Sequence, residues 1–568
     1  MNAWLFVSLE KGRAHDPRLH SSIGEAELKS HATRFSKARL RKKKLQVLKK
    51  SIEPFPITPK EDVSDKSLSH EALWHQPQQL VPPSFHPQTT LALSGCHTFA
   101  PEHMKDLAPA LQQALEYAYE VLWPMNSPAI QGSSLKATIQ FWRAAGVQCP
   151  LTFYSQVSNA ATLCLAKATD AVYVRQMSTL RTIYQSRAIH LIQKAVGELA
   201  GPPSFTLISC IMNMHGQGGQ VLEPTYCSLV PESPIFAAFN LKLYGRFAYP
   251  PQHFPALTEL LRQRGGISTL PPGVANPLQL ADLASANRTF TSPKFPLLSC
   301  ISQMASHHAA QHDDRALGLL GTLGSGFSAC MGSDDTGMFS VLSEACQLTA
   351  SIDQYHREVG LRLPLHVLAV KAIAFQHRLL TLPPCLSDCV DLSPCSADAI
   401  VYQAIRFTTL IYSDFMIFPS AEVRQGRSRL ASCLRECLLR WLDARGEMLD
   451  GQNVYQDLLL WCLVLGGVAS SNTSHRSWYV KQVAEQLLAR TMTWGMLETT
   501  LYRFLYWDYV FSGLVTNLWM EARSLGTHEG LEQVHWMVDM GLCEPATLDI
   551  GGVRSLKGAL SETRVIHR

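Results

Sequence analysis

A short basic segment is the densest concentration of chemically active side chains in this sequence. Between Lys29 and Lys50 there are ten Lys or Arg residues and no Asp or Glu. The positive electrostatic potential of such a segment attracts anions. It could serve as a nuclear import address, contact nucleic-acid phosphates in a salt-dependent way, or adsorb to anionic lipid. A solvated charge run without a partner is the fourth interpretation.

We favour nuclear import for this segment, with weak, salt-dependent phosphate contact as an additional role. A basic leucine zipper is not supported, because Pro54, Pro56 and Pro59 stop any helix before apolar heptads could follow. Base readout needs rigidly held side chains, so the segment favours affinity over specificity. The residues predicted to act are Lys37, Arg39, Arg41, Lys42, Lys43, Lys44, Lys49 and Lys50.

Enzyme motifs are incomplete wherever they begin. Gly326-Phe-Ser-Ala-Cys330 lacks the second glycine of a nucleophile elbow. The glycine-rich stretch "GLLGTLGSGF", from Gly318, is not followed by the Gly-Lys-Ser/Thr of a phosphate-binding loop. We interpret it as a loop or a close helix crossing, and we predict no catalytic residues.

Candidate metal ligands are also incomplete. His308 and His312 have the four-residue spacing of zinc ligands on a helix, but the glutamate of a metalloprotease motif is missing. We therefore predict a polar helical surface at this position. "HEGLEQVH", from His528, lacks a correctly spaced second histidine and favours an exposed helix face.

The cysteines do not form zinc knuckles, because the sequence contains no Cys-x2-Cys pair. Cys385, Cys389 and Cys395 are spaced too widely for that module. Cys433 and Cys437 lie on an apolar stripe, where we expect both sulfurs to be buried among leucines. The cysteines are predicted to be structural thiols in a reducing compartment, and no metal or cofactor is predicted.

The elements that must position these residues follow from composition. Residues 1–50 contain 13 Lys or Arg and 4 Asp or Glu, whereas the whole chain has a net charge of only +4. Eight prolines from Pro54 to Pro101 predict a linker. We divide the chain into a disordered basic arm (1–53), a Pro-rich linker (54–101) and a helical body (102–568).

Apolar residues recur at i, i+3, i+4 and i+7 throughout the body, which predicts an all-α fold. The longest apolar run, Leu458–Ala469, is too short to span a bilayer and predicts a buried helix. In "RLASCLRECLLRWLDAR", six residues from Leu430 to Trp441 form one stripe. Helical patterns also cover 107–123, 160–199, 340–358, 364–380, 398–417, 455–469, 476–490 and 494–522.

Two regions resemble a known family. "LIYSDFMIFPS", "LLLWCLVLGGVASSNTSHRSWYVKQV" and "TWGMLETTLYRFLYWD" occur in the order seen in the helical regulatory body of fungal-specific transcription factors. "LFVSLEKGRAHDPRLHSSIGEAELKSHATRFSKARLRKKK" resembles the opening of a subgroup of that family. The resemblance spans roughly residues 4–50 and 100–525. The family's six-cysteine zinc cluster is missing, so zinc-dependent DNA reading is not expected.

The resemblance implies a large irregular all-α body and a nuclear regulator of transcription, with other transcription proteins as partners and DNA contacted through the basic arm. The body would receive a partner or a small effector in an apolar groove between helices. A cofactor or interaction scaffold that does not bind DNA is the main alternative. An enzyme with a helical pocket is the third interpretation. No membrane span is predicted, and the sequence leaves the oligomeric state open.

Overall fold

A computed structural model describes residues 109–168, 170–215, 233–238, 253–330, 337–383, 397–419, 426–448, 453–471 and 473–526. Within these ranges every regular element is helical and there is no β-strand, so the all-α prediction is confirmed. The basic arm and the Pro-rich linker lie outside the described residues.

The first half of the body contains ten helices in the described ranges. They are α1 (Pro109–Tyr117), α2 (Gly132–Gln148), α3 (Pro150–Lys167), α4 (Ala171–Gly197), α5 (Phe205–His215), α6 (Ile235–Ala238), α7 (His253–Arg264), α8 (Pro272–Thr289), α9 (Ser299–His307) and α10 (Asp314–Thr322). A π-helical turn follows α1 at Ala118–Leu122, and 3-10 turns lie at Pro124–Asn126 and Ile267–Thr269.

The described part of the second half contains nine helices. They are α11 (Ser325–Cys330), α12 (Met338–His356), α13 (Leu365–Thr381), α14 (Ala397–Met416), α15 (Gly426–Met448), α16 (Asn453–Ala469), α17 (Arg476–Ala489), α18 (Trp494–Tyr502) and α19 (Asp508–Gly526). One apolar core joins α6 and the helices from α8 to α19. Two smaller cores form among α1–α4 and among α4, α5, α7 and α8.

Helix α3 is buried on nearly every side although many of its residues are polar. Several of its polar side chains form hydrogen bonds with neighbouring elements instead of water. Gln156 accepts a hydrogen bond from the Tyr119 hydroxyl (2.8 Å), and Asn159 accepts one from the Trp123 indole (2.7 Å). Ser155 accepts one from Asn213 Nδ2 (3.1 Å). These contacts form a neutral hydrogen-bond network, which compensates for the cost of removing polar groups from water.

Helix α16 contains the predicted buried run, and residues Leu458–Leu465 are almost completely inaccessible. The prediction of a buried helix is confirmed. A Cβ at Gly466 would lie 2.4 Å from the Tyr479 ring, so this position requires glycine for the close approach of α17. In the ranges that the structure describes, no helix has the length and apolarity required to cross a bilayer.

The stripe predicted for α15 is correct except at its margin. Leu434, Cys437 and Trp441 are buried, but Cys433 is exposed. The expectation that both sulfurs would be buried is therefore wrong for Cys433. A cysteine at the edge of a helical stripe fits the apolar spacing equally well whether or not a neighbouring helix covers it.

Two predicted helices are each divided in the structure. The pattern over 160–199 covers the end of α3 and the whole of α4, and Asp170 caps the second helix by accepting a hydrogen bond from Tyr173 N (2.7 Å). The pattern over 494–522 covers α18 and α19, which are separated by residues 503–507. That connection is apolar, so periodicity alone did not reveal the break.

Candidate functional site

The connection between α18 and α19, called here the 503–507 segment, is non-helical chain in the interior of the body. Phe504, Leu505, Tyr506 and Trp507 are all completely buried. Buried backbone groups need hydrogen-bond partners, and the carbonyl of Leu505 accepts one from the Trp461 indole of α16 (2.9 Å). The segment is therefore fixed to the central helix.

The glycine-rich motif at the end of α10 holds the other side of the 503–507 segment. Gly324 N donates to Phe504 O (3.0 Å), and Gly326 N donates to Arg503 O (2.7 Å). A Cβ at Gly326 would lie 2.6 Å from the Phe504 ring and 3.0 Å from Arg503 O. Gly324 and Gly326 thus allow backbone to approach backbone. The prediction of a loop or a close helix crossing is confirmed only as a close approach, because residues 318–322 belong to α10 and the partner is non-helical chain.

A buried carboxylate anchors the end of the 503–507 segment. Asp353 of α12, whose side chain is 2% exposed, accepts a hydrogen bond from Trp507 Nε1 (3.0 Å) and one from Arg357 Nε (2.7 Å). A charge this deeply buried requires such partners. Asp353, the charged residues around it and Trp507 are called here the Asp353 cluster. Its members are Asp313, Arg315, Asp353, Arg357, Trp507 and Asp508.

Asp313 completes the pairing of Arg357. The guanidinium donates to both Asp313 carboxylate oxygens, at 2.7 and 2.9 Å, in the bidentate geometry typical of strong pairs. Asp313 also caps α10 by accepting a hydrogen bond from Ala316 N (2.9 Å). The Arg357 and Ala316 hydrogen bonds lower the pKa of Asp313 to about 2. One arginine thus joins the end of α12 to the beginning of α10.

The rim of the Asp353 cluster is aromatic and partly open to solvent. His356 packs on Tyr509 with ring centroids 3.8 Å apart and lies 5.7 Å from Trp507. Burial lowers the pKa of His356. Arg315 Nη2 lies 3.5 Å from Asp353 Oδ1 and 3.8 Å from Asp508 Oδ2, so it bridges two carboxylates loosely. The cluster gathers α10, α12 and α19 around Trp507.

The candidate metal ligands His308 and His312 do not lie on one helix. His308 follows the end of α9 and His312 lies before α10, so the predicted helical surface carrying both residues is wrong. His308 Nδ1 contacts Met304 O instead (3.1 Å). Among the described residues, no group of three or more His, Cys, Asp or Glu side chains is arranged to hold a metal ion.

The near-motif for a nucleophile forms helix α11, where Ser328 Oγ donates to Ser325 O (2.9 Å). This serine hydroxyl therefore serves a local helical contact. The other predicted residues lie outside the described residues: the eight of the basic segment from Lys37 to Lys50, His528, and Cys385, Cys389 and Cys395. Their predicted roles stay predictions.

Sequence reasoning missed the Asp353 cluster, although one signal was present. Asp353 occupies a position on the buried stripe of α12 that Leu342, Cys346 and Thr349 also follow. An acidic residue at a core position indicates a buried partner of opposite charge, and Arg357 lies four residues later. The partners Asp313 and Trp507 could not be found this way, because they are distant in the chain.

A comparison with family models matches residues 251–501 to the fungal specific transcription factor domain. The family resemblance read from the sequence is thereby confirmed over this range, which supports a role in transcription regulation. The similarity proposed for residues 4–50, 100–250 and 502–525 lies outside the match and stays a prediction. No curated protein and no solved structure was found to match the chain.

Proposed function

We propose that this chain is a nuclear regulator of transcription with two working parts. Residues 37–50 direct nuclear import and contact nucleic-acid phosphates without base specificity, while the helical body receives a protein partner or a small effector. The match of residues 251–501 to the fungal specific transcription factor domain is the observation that carries the proposal. The separation of a basic segment from a body with a slight acidic excess supports the division of roles.

Imaging of charge variants tests the import role. Replacing Lys42, Lys43 and Lys44 by Gln removes three positive charges from the densest part of the segment, and we expect nuclear accumulation to fall severalfold. The matched control replaces the same three residues by Arg, which keeps the charge and should leave accumulation unchanged. Equal accumulation of the Gln variant and the unmodified chain would remove the import role.

A gel shift on nonspecific duplex DNA at several salt concentrations tests phosphate contact. Each neutralised phosphate contributes a slope of roughly −0.9 to the logarithm of affinity against the logarithm of salt concentration. We therefore expect the slope to become shallower in the Gln variant and to persist in the Arg variant.

The absence of any Cys-x2-Cys pair favours a second candidate function. In that case the chain is a transcriptional cofactor that acts through protein contacts alone. The same gel shift separates the two candidates, because a cofactor of this kind forms no salt-dependent complex with DNA in any variant.

A further inference from the structure

Helix α4 has a buried stripe on one side and a long exposed face on the other. The helix contains four Lys or Arg residues and no Asp or Glu. Its inward stripe consists of Met177, Tyr184, Ala188 and Ile192, which are all buried. These residues belong to the two smaller apolar cores. The opposite face is therefore held on a rigid support.

The exposed residues of α4 between Arg175 and Lys194 are all polar. They are Arg175, Gln176, Thr182, Ser186, Arg187, His190, Gln193 and Lys194. The four that can carry positive charge, Arg175, Arg187, His190 and Lys194, are called here the α4 basic face. With 3.6 residues per turn and a rise of 1.5 Å per residue, they lie within about a third of the circumference and over about 28 Å of the axis.

The positive charge of the α4 basic face is not neutralised on the helix itself. Arg175 Nε donates to Ala171 O (3.2 Å), and neither Arg175 nor Arg187 forms an ion pair with any described residue. Lys194 Nζ lies 4.0 Å from Glu198 Oε1, and these two side chains are 63% and 67% exposed. Such a solvated surface pair contributes little.

The helices that pack against α4 bring no free acid to this face. Helices α3 and α5 contain no Asp or Glu. Glu116 of α1 is already paired with Arg143 (2.6 Å). The α4 basic face is thus a local concentration of positive charge on a body that has a slight acidic excess.

Arg187 is held in place by aromatic rings instead of by a carboxylate. Its Cζ lies 5.4 Å from the ring centroid of Tyr154 and 5.5 Å from that of Tyr184. An aromatic ring attracts a guanidinium through its face and does not use up its N–H donors. Arg187 can therefore form bidentate hydrogen bonds with an anion.

We infer that the α4 basic face binds the phosphate backbone of duplex DNA. Each strand of a duplex carries one phosphate about every 3.4 Å along the axis, so a 28 Å array of cations matches about eight base pairs. Arg, Lys and hydroxyl side chains are the usual donors to phosphate oxygens, and such contacts position a protein without reading sequence. A rigid helix presents these groups in a line that suits a rigid polyanion.

Two other polyanions fit the α4 basic face less well. An acidic protein partner needs aromatic or apolar anchors at the centre of its interface, and the exposed residues from Arg175 to Lys194 include none. Single-stranded nucleic acid is bound by stacking its bases on exposed aromatic rings. Tyr184, the aromatic residue near the middle of α4, is buried.

This inference goes beyond the proposed function, which assigns phosphate contact to residues 37–50 alone. It places a second DNA contact on the helical body, outside the range 251–501 that matches the family.

A gel shift of the full chain on nonspecific duplex DNA tests the inference at several salt concentrations. The chain carries Gln at residues 42–44, so that the basic segment contributes less. In this background we expect Arg175→Gln, Arg187→Gln and Lys194→Gln together to make the salt slope shallower by about 2–3 and to weaken binding roughly tenfold, because each lost phosphate contact removes roughly 0.9 from the slope. An unchanged slope would overturn the inference.

A charge-preserving variant is the first control. Arg175→Lys, Arg187→Lys and Lys194→Arg together should retain the slope, because nonspecific phosphate binding depends on charge. The melting temperature of each variant should stay close to that of the unmodified chain, since the replaced side chains are exposed. Loss of the slope in this variant as well would overturn a purely electrostatic contact.

The second control removes the same charge from scattered positions. Arg262→Gln, Arg440→Gln and Lys481→Gln change three exposed residues on α7, α15 and α17. We expect a much smaller change of slope, because these residues share no face. A loss equal to that of the α4 variant would show that net charge decides binding, and would overturn the assignment to α4.

Competition identifies the polyanion. Poly-glutamate and single-stranded DNA, each added at the same concentration of charge, should displace the labelled duplex less well than unlabelled duplex does. Equal competition by poly-glutamate would assign the face to an acidic protein partner. Equal competition by the single strand would assign it to unpaired nucleic acid. Either result would overturn the inference.

The two proposals fail separately. The change caused by Gln at residues 42–44 reports on the basic segment, whereas the further change caused by the α4 replacements reports on the α4 basic face. DNA binding that depends on α4 but not on residues 42–44 would support this inference and remove phosphate contact from the proposed function. The reverse result would do the opposite.

Discussion

Two buried tryptophans in different parts of the body use different hydrogen-bond acceptors. The Trp123 indole donates to the neutral amide of Asn159 (2.7 Å), in the network around α3. The Trp507 indole donates to the carboxylate of Asp353 (3.0 Å), in the Asp353 cluster. An amide needs no counter-ion, whereas a buried carboxylate requires Arg357. The hydrogen bond of Trp507, just beyond the family match, therefore depends on a charged pair, whereas that of Trp123 does not.

Among the variants that test this difference, removal of the buried Asp353 carboxylate should lower the free energy of unfolding the most. Asp353→Leu leaves Trp507 Nε1 without an acceptor and Arg357 without one of its two partners. We expect the free energy of unfolding to fall by about 3 kcal/mol, the lower end for breaking a buried pair, because Asp313 still holds Arg357. The urea midpoint of the full chain measures the change. Asp353→Asn keeps an acceptor for the indole and should lose less.

The next largest effect concerns the close crossing that positions Trp507. In Gly326→Ala the new methyl group meets the Phe504 ring and the carbonyl of Arg503, neither of which yields easily. We expect a loss of about 2–3 kcal/mol in the same urea experiment. Gly318→Ala is the control, because nothing lies within 4 Å of that position and alanine favours the helix by about 1 kcal/mol. Equal stability of the two variants would contradict a close crossing.

A smaller loss is expected in the neutral network. Asn159→Leu leaves the Trp123 indole unpaired in the core and should cost about 1–2 kcal/mol. The double variant Trp123→Phe with Asn159→Leu removes both polar partners, so we expect its loss to be smaller than the sum of the losses of the two single variants. Thermal unfolding of Asn159→Leu, of Trp123→Phe and of the double variant measures the coupling. Strictly additive effects would show that the hydrogen bond contributes nothing specific.

The smallest expected effect is the pH dependence of the stabilisation that Asp313 contributes. It is also the most direct test of the charge on Asp313. The pKa of Asp313 is about 2 in the folded chain, against an ordinary value of 3.8. A lowered pKa stabilises the folded state above the ordinary value, and this contribution disappears as the pH falls through the folded value. The difference in melting temperature between the unmodified chain and Asp313→Asn should therefore shrink from about pH 4 to about pH 2.

The corresponding difference for Asn159→Leu should stay constant over this pH range, because neither Asn159 nor Trp123 titrates there. A constant difference for Asp313→Asn as well would mean that Arg357 does not hold Asp313 as a carboxylate.

The helices were predictable where one face is apolar and the other polar. The burial of the apolar run in α16 and of most of the α15 stripe could be predicted from the spacing of apolar residues, because apolar residues with helical spacing form the face that a helix buries. The break at the 503–507 segment did not follow, since a fully buried connection is as apolar as a buried helix. The predictions for Cys433 and for the pair His308 and His312 were wrong for a related reason. The spacing of residues along the chain does not show which neighbouring elements pack against a side chain.

The candidate sites were less accessible to sequence reasoning than the fold. Asp353 and Arg357 are neighbours on one helix, so their pairing could be anticipated. Trp507 lies 154 positions from Asp353, and no local pattern connects them. The glycine-rich motif was correctly predicted to allow a close approach, but its partner, the non-helical 503–507 segment, was not foreseen.

The hydrogen bonds of the 503–507 segment have a consequence for the order of assembly. The turn at Gly324 and the carboxylate of Asp353 obtain their partners from residues synthesised much later, and closing loops of this length carries a large entropic cost. During translation, the helices that are synthesised first cannot complete these contacts until Trp507 has been synthesised. A fragment that ends at residue 501 would retain the matched range, 251–501, but would lack the 503–507 segment that these contacts require.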